Sequence, residues 1–446
     1  MHGADSFNVA LNSPHMQDTL PAPLLMASLF AAAVTISLLT RLWLASRQMR
    51  HVARHRNAVP AAFAGTVGLP AHQKAAAYTL AKSRLGLLEM AFGTAVLLGW
   101  TLLGGLGALN QAVLAMLGPD TAPLVSQLVL LAAFALVGGL LDLPFTLYRT
   151  FVLEARFGFN KTTPALWLAD LVKSVVVGGL VGLPIAALVL WLMGSAGGAW
   201  WLWAWAAWMG FNLLLLWLYP TFIAPLFNQF KPLDDETLRT RVTALMQRCG
   251  FTAKGLFVMD GSRRSAHANA YFTGFGAAKR VVFYDTLLAK LSPGEVDAVL
   301  AHELGHFKHK HVVKRIAGMF AMSLLGFALL GWLSTQAWFY AGLGVNPNLN
   351  GTPNDALALL LFMLAIPVFS FFVSPLWAQL SRQHEFEADA YAISQTSGHD
   401  LSTALLKLYE DNASTLTPDP LFVKFYYSHP PASERLARMT GQALPA

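Results

Sequence analysis

Cysteine, charge and repetition are all scarce in this sequence. The single cysteine, Cys249, excludes an intrachain disulfide. Charged residues make up 12% of the 446 positions, about half the usual share, which argues against two or three ordinary soluble domains. The chain also has no internal repeat and no low-complexity segment. Hydrophobic residues are abundant instead, at 55% with a mean hydropathy of +0.49, and this balance predicts a polytopic membrane protein.

Seven apolar stretches approach or exceed the roughly 20 residues that a helix needs to cross a bilayer. They are predicted as transmembrane helices near residues 23–45, 85–106, 123–147, 169–193, 199–222, 315–341 and 355–380. The first stretch is too long and begins too late for a cleaved signal peptide, so it is predicted to remain as an anchor.

Positive charge is distributed unevenly between the connections of these helices. Lys and Arg are absent from alternate connections, at 1–22, 107–122, 194–198 and 342–354. The positive-inside rule therefore predicts an outside N-terminus and a cytoplasmic C-terminus, with a bacterial inner membrane as the expected location. Membrane orientation accounts for the net charge of +7, so lipid is expected as a partner and nucleic acid is not.

The long polar segment 223–314 has a mixed pattern. "DDETLRTRVTALMQRCG" has helical spacing with acidic residues first and a glycine last. "KGLFVMD", "NAYFTGFG" and "RVVFYD" are predicted as short strands. "SPGEVDAVLAHELGHFKHKH" is predicted as one long helix, with Ser292 as N-cap, Pro293 as first residue and Glu295 completing a capping box.

His302 and His306 lie four residues apart on that helix, so both imidazoles project from one face. This is the HExxH spacing that binds zinc, with Glu303 beside the metal-bound water, although a histidine-rich helix end at the membrane surface is the alternative. Catalytic zinc normally takes a third protein ligand. His309 stands about 10.5 Å from His302 along a continuous helix, so residues 309–311 are predicted to form a solvated helix end.

The third ligand is therefore expected from the other cytoplasmic segment, where "SRQHEFEADAYA" follows the last predicted span. Glu385 and Asp389 lie four residues apart and share a helical face, whereas Glu387 points roughly the other way. One of the two carboxylates can bind zinc while the other accepts a hydrogen bond from a ligand histidine.

Several motifs together resemble one known family. "HELGH" (302–306) is followed by "SRQHEFEAD" (381–389), and "EARFGFNKTT", "IAPLFNQFKPL", "HANAYFTGFG" and "SHPPASER" are dispersed around them. In this order they closely resemble the type I CAAX prenyl endopeptidases, which are integral-membrane gluzincin proteases. The similarity extends from about residue 70 to the C-terminus.

The resemblance implies a role for each matched position. His302, His306 and Glu385 would hold one Zn²⁺ per chain, Glu303 would be the general base, and Asp389 would orient a ligand histidine. Asn269 and Ala270 would pair with the substrate backbone as an added strand. His429 and Arg435, both in "SHPPASER", would face the substrate or the developing oxyanion.

The resemblance also implies an architecture. The chain would be an all-α polytopic membrane protein, with seven transmembrane helices enclosing a chamber and a cytoplasmic, mainly helical zinc-metalloprotease domain carrying a small β-sheet. Its segments would be an extracytoplasmic tail (1–22), five transmembrane helices (23–222), a cytoplasmic segment with HExxH (223–314), two further transmembrane helices (315–380) and a cytoplasmic C-terminal segment with the third ligand (381–446).

The expected substrate is a peptide or the C-terminus of a prenylated protein. Three other functions compete with this one. The first is a general quality-control protease of the membrane without prenyl dependence. The second is an intramembrane protease, which would carry HExxH inside a span, and the third is a transporter or scaffold with a structural zinc site, which would need no base such as Glu303.

Ionisable residues within the apolar stretches support the chamber. Glu89 and Asp142 are costly in lipid and usually face a bundle interior or water. We therefore expect both to line a water-filled cavity.

Overall fold

The computed structural model describes residues 21–251, 255–273, 280–348 and 353–440. Long apolar helices dominate its first half, and proline opens several of them, because the first helical turn needs no N–H from that residue. These helices are α1 (Ala22–His55), α2 (Leu69–Trp100), α3 (Gly105–Leu117), α4 (Pro123–Tyr148), α5 (Pro164–Ser195) and α6 (Trp200–Leu218). Short π-helical turns, Arg149–Glu154 and Tyr219–Ile223, extend α4 and α6.

The second half of the chain alternates between polar and apolar helices. Its helices are α7 (Ala224–Phe227), α8 (Glu236–Arg248), α9 (Asp285–Leu288), α10 (Pro293–Lys308), α11 (His311–Leu333), α12 (Ala337–Gly342), α13 (Asp355–Ser370), α14 (Ser374–Gln395), α15 (Gly398–Asp411), α16 (Pro420–Tyr426) and α17 (Ala432–Thr440). The helix predicted over residues 292–311 corresponds to α10 but ends at Lys308, and its last predicted residue, His311, begins α11.

Five helical segments in the described chain are long and apolar enough to cross a membrane by themselves. Two bent pairs raise the number to seven if each pair is one span: α2 with α3, at 56°, and α13 with α14, at 69°. The predicted spans 85–106 and 355–380 fall on these two pairs. The sequence pattern did not reveal the bends, and it predicted a connection at 107–122 where α3 continues to Leu117.

Local residues explain both bends. Gly104 adopts a left-handed φ of 78° between α2 and α3, a conformation that glycine tolerates without steric cost. Pro367 lies inside α13 and Pro375 in the first turn of α14, so backbone hydrogen bonding is interrupted on both sides of the break.

A small sheet packs beside α8, α10 and α15. Its strands are β1 (Phe230–Pro232), β2 (Gly255–Met259), β3 (Ala270–Thr273) and β4 (Arg280–Tyr284), in the order β1-β2-β4-β3. Only the central pair, β2 with β4, is parallel. The strands predicted around "KGLFVMD", "NAYFTGFG" and "RVVFYD" correspond to β2, β3 and β4.

Two of the four hydrophobic clusters among the described residues are large, and they join different parts of the chain. One joins the ends of the spans farthest from HExxH, including Phe30 of α1, Leu190 of α5 and Leu330 of α11. The other packs β2 and β4 against α8, α10 and α15. Between these clusters the five spans are thinly packed. In the most apolar 18-residue window of each span, 6–17% of the residues are buried. Low burial along the spans is a feature that the predicted chamber requires, and the chamber itself stays a prediction.

Candidate active site

Helix α10 positions His302, Glu303 and His306. It begins as the sequence predicts: the Ser292 hydroxyl accepts from the backbone N–H of Glu295, and the Glu295 carboxylate accepts from the backbone N–H of Ser292. This capping box fixes the helix start, and one helical face then carries both imidazoles toward α14.

Helix α14 supplies the carboxylates. Glu385 and Asp389 are buried side by side, with 3% and 4% of their surfaces exposed. Gly305, between the two histidines, allows α10 and α14 to approach closely, because a Cβ at that position would lie 2.9 Å from the Cα of Ala388. Any larger residue there would push the two helices apart and separate the polar groups.

His302, His306 and Glu385 form the described chain's one candidate group of metal ligands, with one donor atom from each within 4.8 Å of the others. The Nε2 of His302 lies 3.5 Å from Glu385 Oε2, and the Nε2 of His306 lies 3.4 Å from Glu385 Oε1. A tetrahedral ion with bonds of about 2.0–2.1 Å separates its donors by about 3.3–3.4 Å. Glu385 Oε2 is also buried without a hydrogen-bond partner among the described residues, so the donor set fits a zinc ion.

The face of His302 away from this group is fixed by two charged residues. Its Nδ1 lies 2.8 Å from Asp389 Oδ1, and the Arg435 guanidinium binds both oxygens of Asp389, with its Nε 2.8 Å from Oδ2. Arg435 is 8% exposed. Asp389 therefore orients His302, and Arg435 orients Asp389. The predicted contact of Arg435 with the substrate or the oxyanion stays a prediction.

His306 is fixed in a different way. Its Nδ1 lies 3.0 Å from the Nδ1 of His311, and the Nε2 of His311 lies 2.8 Å from Glu387 Oε2. His311 is 1% exposed, and the ring of His384 stacks on it at 4.0 Å. The prediction that residues 309–311 form a solvated helix end is therefore wrong for His311.

The break between α10 and α11 brings His311 to this position. Lys310 adopts a left-handed φ of 56°, which costs an L-residue about 1–2 kcal/mol, and α11 starts at the next residue. The predicted helix continued through Lys310 because "FKHKH" contains no glycine to favour a break. Glu387 does point away from Glu385, as the helical spacing indicates, and it points at His311.

Glu303 lies beside the ligand group on α10. Burial raises the pKa of its carboxyl group, and the charge of nearby Glu385 raises it further, against the opposing effect of His302. Burial lowers the pKa of His306 to about 4. Burial also lowers the pKa of His302, but hydrogen bonds to Asp389 and Glu385 outweigh this effect and raise the pKa to about 9. A neutral imidazole is the form that binds a metal ion.

His429 approaches the same group from the C-terminal segment. Its Nε2 lies 3.4 Å from Glu385 Oε1, and 66% of its side chain is exposed. It is thus the solvent-facing histidine of the cluster, next to the donors without belonging to the group of three.

Asn269 and Ala270 lie at the start of β3, an edge strand of the sheet. The carbonyl of Asn269 accepts from the backbone N–H of Tyr284 in β4. Antiparallel pairing alternates, so the backbone groups of Ala270 point to the open edge, where the Asn269 side chain accepts from the Ala270 N–H at 2.9 Å. This edge can take an added strand.

Sequence reasoning did not identify His311 and Glu387 as parts of the site. The sequence places Glu387 two residues from Glu385 and His311 five residues from His306. On two unbroken helices, however, both side chains would point to solvent. Only the break at Lys310 brings them together.

Comparisons with known proteins identify the family of this chain. Residues 48–229 match the family described as CAAX prenyl protease N-terminal, five membrane helices, and residues 232–443 match peptidase family M48. The CAAX prenyl protease 1 homolog of Arabidopsis thaliana is 35% identical over 86% of this chain and 91% of its own length. The human homolog is 32% identical over 92% and 94%.

One solved structure has the same fold. The crystal structure of S. mikatae Ste24p superposes with a TM-score of 0.87 at 29% identity, covering 95% of this chain and all of that one.

The helices and the site together define a multi-pass membrane metalloendopeptidase. By its matches over nearly the whole length, the chain belongs to peptidase family M48, in the group with the CAAX prenyl protease N-terminal region.

Proposed function

We propose that His302, His306 and Glu385 hold one catalytic Zn²⁺ and that Glu303 is the general base. The observation that carries this is that donor atoms of all three residues lie within 4.8 Å of one another, with the two imidazole Nε2 atoms 3.5 and 3.4 Å from the two oxygens of Glu385. A zinc ion there would polarise the scissile carbonyl and lower the pKa of a coordinated water toward about 7.

Glu303 would take a proton from the attacking water and pass it to the leaving amine nitrogen. Glu303 follows His302 on α10 and lies within one helical turn of both ligand histidines. Asp389 would accept the Nδ1 hydrogen of His302 and keep its Nε2 free as a ligand, while Arg435 keeps Asp389 charged and oriented.

A second chain of hydrogen bonds would do the same for His306. If the Nδ1–H of His306 donates to Nδ1 of His311, then His311 carries its own hydrogen on Nε2 and donates it to Glu387. Each ligand histidine would thus have one fixed tautomer, through Asp389 on one side and His311 on the other.

The substrate would lie between the edge of β3 and His429. Its backbone would displace the Asn269 side chain and pair with Ala270, as an added strand does. The exposed imidazole of His429 would donate to the developing oxyanion, an interaction whose loss costs about 3 kcal/mol in other enzymes.

The proposed substrate is the C-terminal region of a prenylated CAAX protein, because the relatives carry CAAX prenyl protease in their names. A quality-control protease acting on other membrane-associated peptides is the second candidate. We also propose that the site faces the cytoplasm and the N-terminus lies outside, since the connections without Lys or Arg are all on the other side.

Two other functions fit less well. An intramembrane protease would place HExxH within a span, whereas α10 packs against the sheet and α11 begins after it. A structural zinc site would use four protein ligands, and the candidate group among the described residues has three.

Proteolysis by the purified protein tests this proposal. Peptides that end in a CAAX sequence should be cleaved three residues from the C-terminus, faster when prenylated, and a chelator should abolish cleavage until zinc is restored. Equal cleavage of both forms would favour the quality-control function. Full activity after complete zinc removal would refute the metal mechanism.

A further inference from the structure

The small sheet has a second face that does not pack on α10. The strand register aligns Phe257 of β2, Val282 of β4 and Tyr271 of β3 in one row across it. Together with the π-turn and α7 at the end of α6, this face borders a cavity of about 480 Å³. The cavity is lined by Pro220, Pro225, Asn228, Gln229, Phe230, Lys231, Phe257, Tyr271, Arg280 and Val282. Its volume is within the range of small-molecule sites, about 300–1,000 Å³.

The charged residues in this lining are both cations, Lys231 and Arg280. The Arg280 guanidinium stands over the Phe257 ring, 5.5 Å from its centre, in the range of a cation–π contact. The amides of Asn228 and Gln229 add further polar groups. Such a lining is complementary to a phosphate, which both cations bind well.

An apolar groove adjoins the cavity. It has a volume of about 330 Å³, lies between α6 and α11, and shares Pro220 with the cavity. Its lining is Asn212, Leu213, Leu215, Leu216, Tyr219, Pro220, Ile316, Met319 and Phe320. A ligand that extended from the cavity into the groove would therefore need one charged end and one apolar end.

Exposed aromatic residues at the end of α6 place the cavity and the groove at the membrane interface. Trp217, Tyr219 and Phe222 are 52–55% exposed at the end of α6, and large exposed aromatic residues mark the headgroup level of a bilayer. The groove runs from there along two spans, toward the apolar interior of the membrane.

We propose that this is a binding site for an anionic phospholipid. The phosphate would bind Lys231 and Arg280 in the cavity, and an acyl chain would lie in the groove between α6 and α11. The site is separate from the metal ligands, because the sheet lies between the cavity and α10. Lipid bound there would join the end of α6, the sheet and the start of α11, and so would stabilise the metalloprotease domain on the membrane.

Lipid binding to the purified full-length protein in a non-ionic detergent tests the proposal. Native mass spectrometry would give the dissociation constant for the first bound dioleoyl phosphatidylglycerol. Lys231→Gln with Arg280→Gln should weaken binding at least tenfold. The matched control, Arg84→Gln with Lys424→Gln, removes the same charge from exposed positions outside the cavity and should stay within twofold.

Partial ligands distinguish the lipid from its parts. Dioleoylglycerol, which lacks the phosphate, and glycerol 3-phosphate, which lacks the chains, should each bind at least tenfold more weakly than the whole lipid. Leu216→Trp fills the groove and should weaken lipid binding at least fivefold while leaving glycerol 3-phosphate unaffected. It tests the site even if the charge variant fails to fold, and zinc content and lipid-free unfolding temperature report on folding.

Three results would overturn the proposal. One is equal phosphatidylglycerol binding by the charge variant and its control. Another is dioleoylglycerol binding as tightly as phosphatidylglycerol, and the third is glycerol 3-phosphate doing so.

Discussion

Replacing His311 with phenylalanine tests the least expected part of the site. The phenyl ring would keep the stacking on His384 at 4.0 Å and fill the same buried volume. It would remove both hydrogen bonds of the imidazole, to His306 at 3.0 Å and to Glu387 at 2.8 Å. The substitution therefore changes the support of a proposed metal ligand and leaves all three proposed ligands in place.

The size of the effect follows from the groups left unpaired. The Nδ1–H of His306 would lose its acceptor in a partly buried site, which costs about 1–3 kcal/mol. Loss of a residue that hydrogen-bonds to a metal ligand weakens metal binding or activity by about 10–100-fold. Expressed as free energy, this agrees with the cost of the unpaired Nδ1–H. We expect His311→Phe to bind zinc 10–100-fold more weakly than the wild type. His311→Asn offers an amide oxygen near the Nδ1 position and should recover part of the loss.

The assay is competition for zinc between the purified protein and a chromophoric chelator of known affinity. His309→Phe is the matched control, because His309 is exposed, stacks on His311 and makes no hydrogen bond to His306 among the described contacts. It should stay within threefold of the wild type. Wild-type zinc affinity in a correctly folded His311→Phe variant would show that His311 does not support His306. A loss of zinc affinity in His309→Phe as large as that in His311→Phe would contradict the prediction as well.

Three further predictions concern the base, the third ligand and the chamber. Glu303→Gln should bind stoichiometric zinc and lose at least a hundredfold in peptide turnover, because it keeps the ligands and removes only the proton acceptor; near-wild-type turnover would exclude Glu303 as the base. Glu385→Ala should lose its zinc, whereas Glu387→Ala should keep it at saturating metal, and equal zinc contents by metal analysis would mean that Glu385 is not the ligand. Cysteines at positions 89 and 142, in a background without the native cysteine, should react with a small water-soluble thiol reagent, and full protection of both in active protein would contradict a water-filled chamber.

Local rules predicted which polar side chains share a helical face, and the family resemblance implied which of them bind the metal. Ser292 and Glu295 form the predicted capping box, and the helix they start carries His302 and His306 one turn apart. The same spacing puts Glu385 and Asp389 on one face of α14. A helical period of 3.6 residues needs no tertiary information, so these neighbours could be predicted from sequence.

Other features depended on tertiary structure and could not be predicted in this way. Lys310 has no intrinsic preference for a left-handed conformation, and the buried pairing of His311 with His306 and Glu387 offsets its cost. The contact of Arg435 with Asp389 was not predicted, and its predicted role toward the substrate or the oxyanion stays a prediction. Which of two nearby polar groups a long side chain contacts is decided by packing, and the sequence pattern carries no information about it.

The polar groups within the spans relate the structure of the membrane region to the function of the site. Glu89 of α2 pairs with Arg149 at the end of α4, and their side chains are 26% and 51% exposed. Asp142 is exposed as well and accepts a hydrogen bond from Thr146 at 3.0 Å. Exposure to lipid would cost several kcal/mol for Asp142, which has no cationic partner among the described contacts, whereas exposure to enclosed water costs little. The spans are thinly packed, and their shared core lies at the end away from HExxH, so the predicted chamber would adjoin the proposed metal ligands. Hydrolysis needs water at the depth of a membrane-bound substrate, and an open bundle next to α10 would supply it.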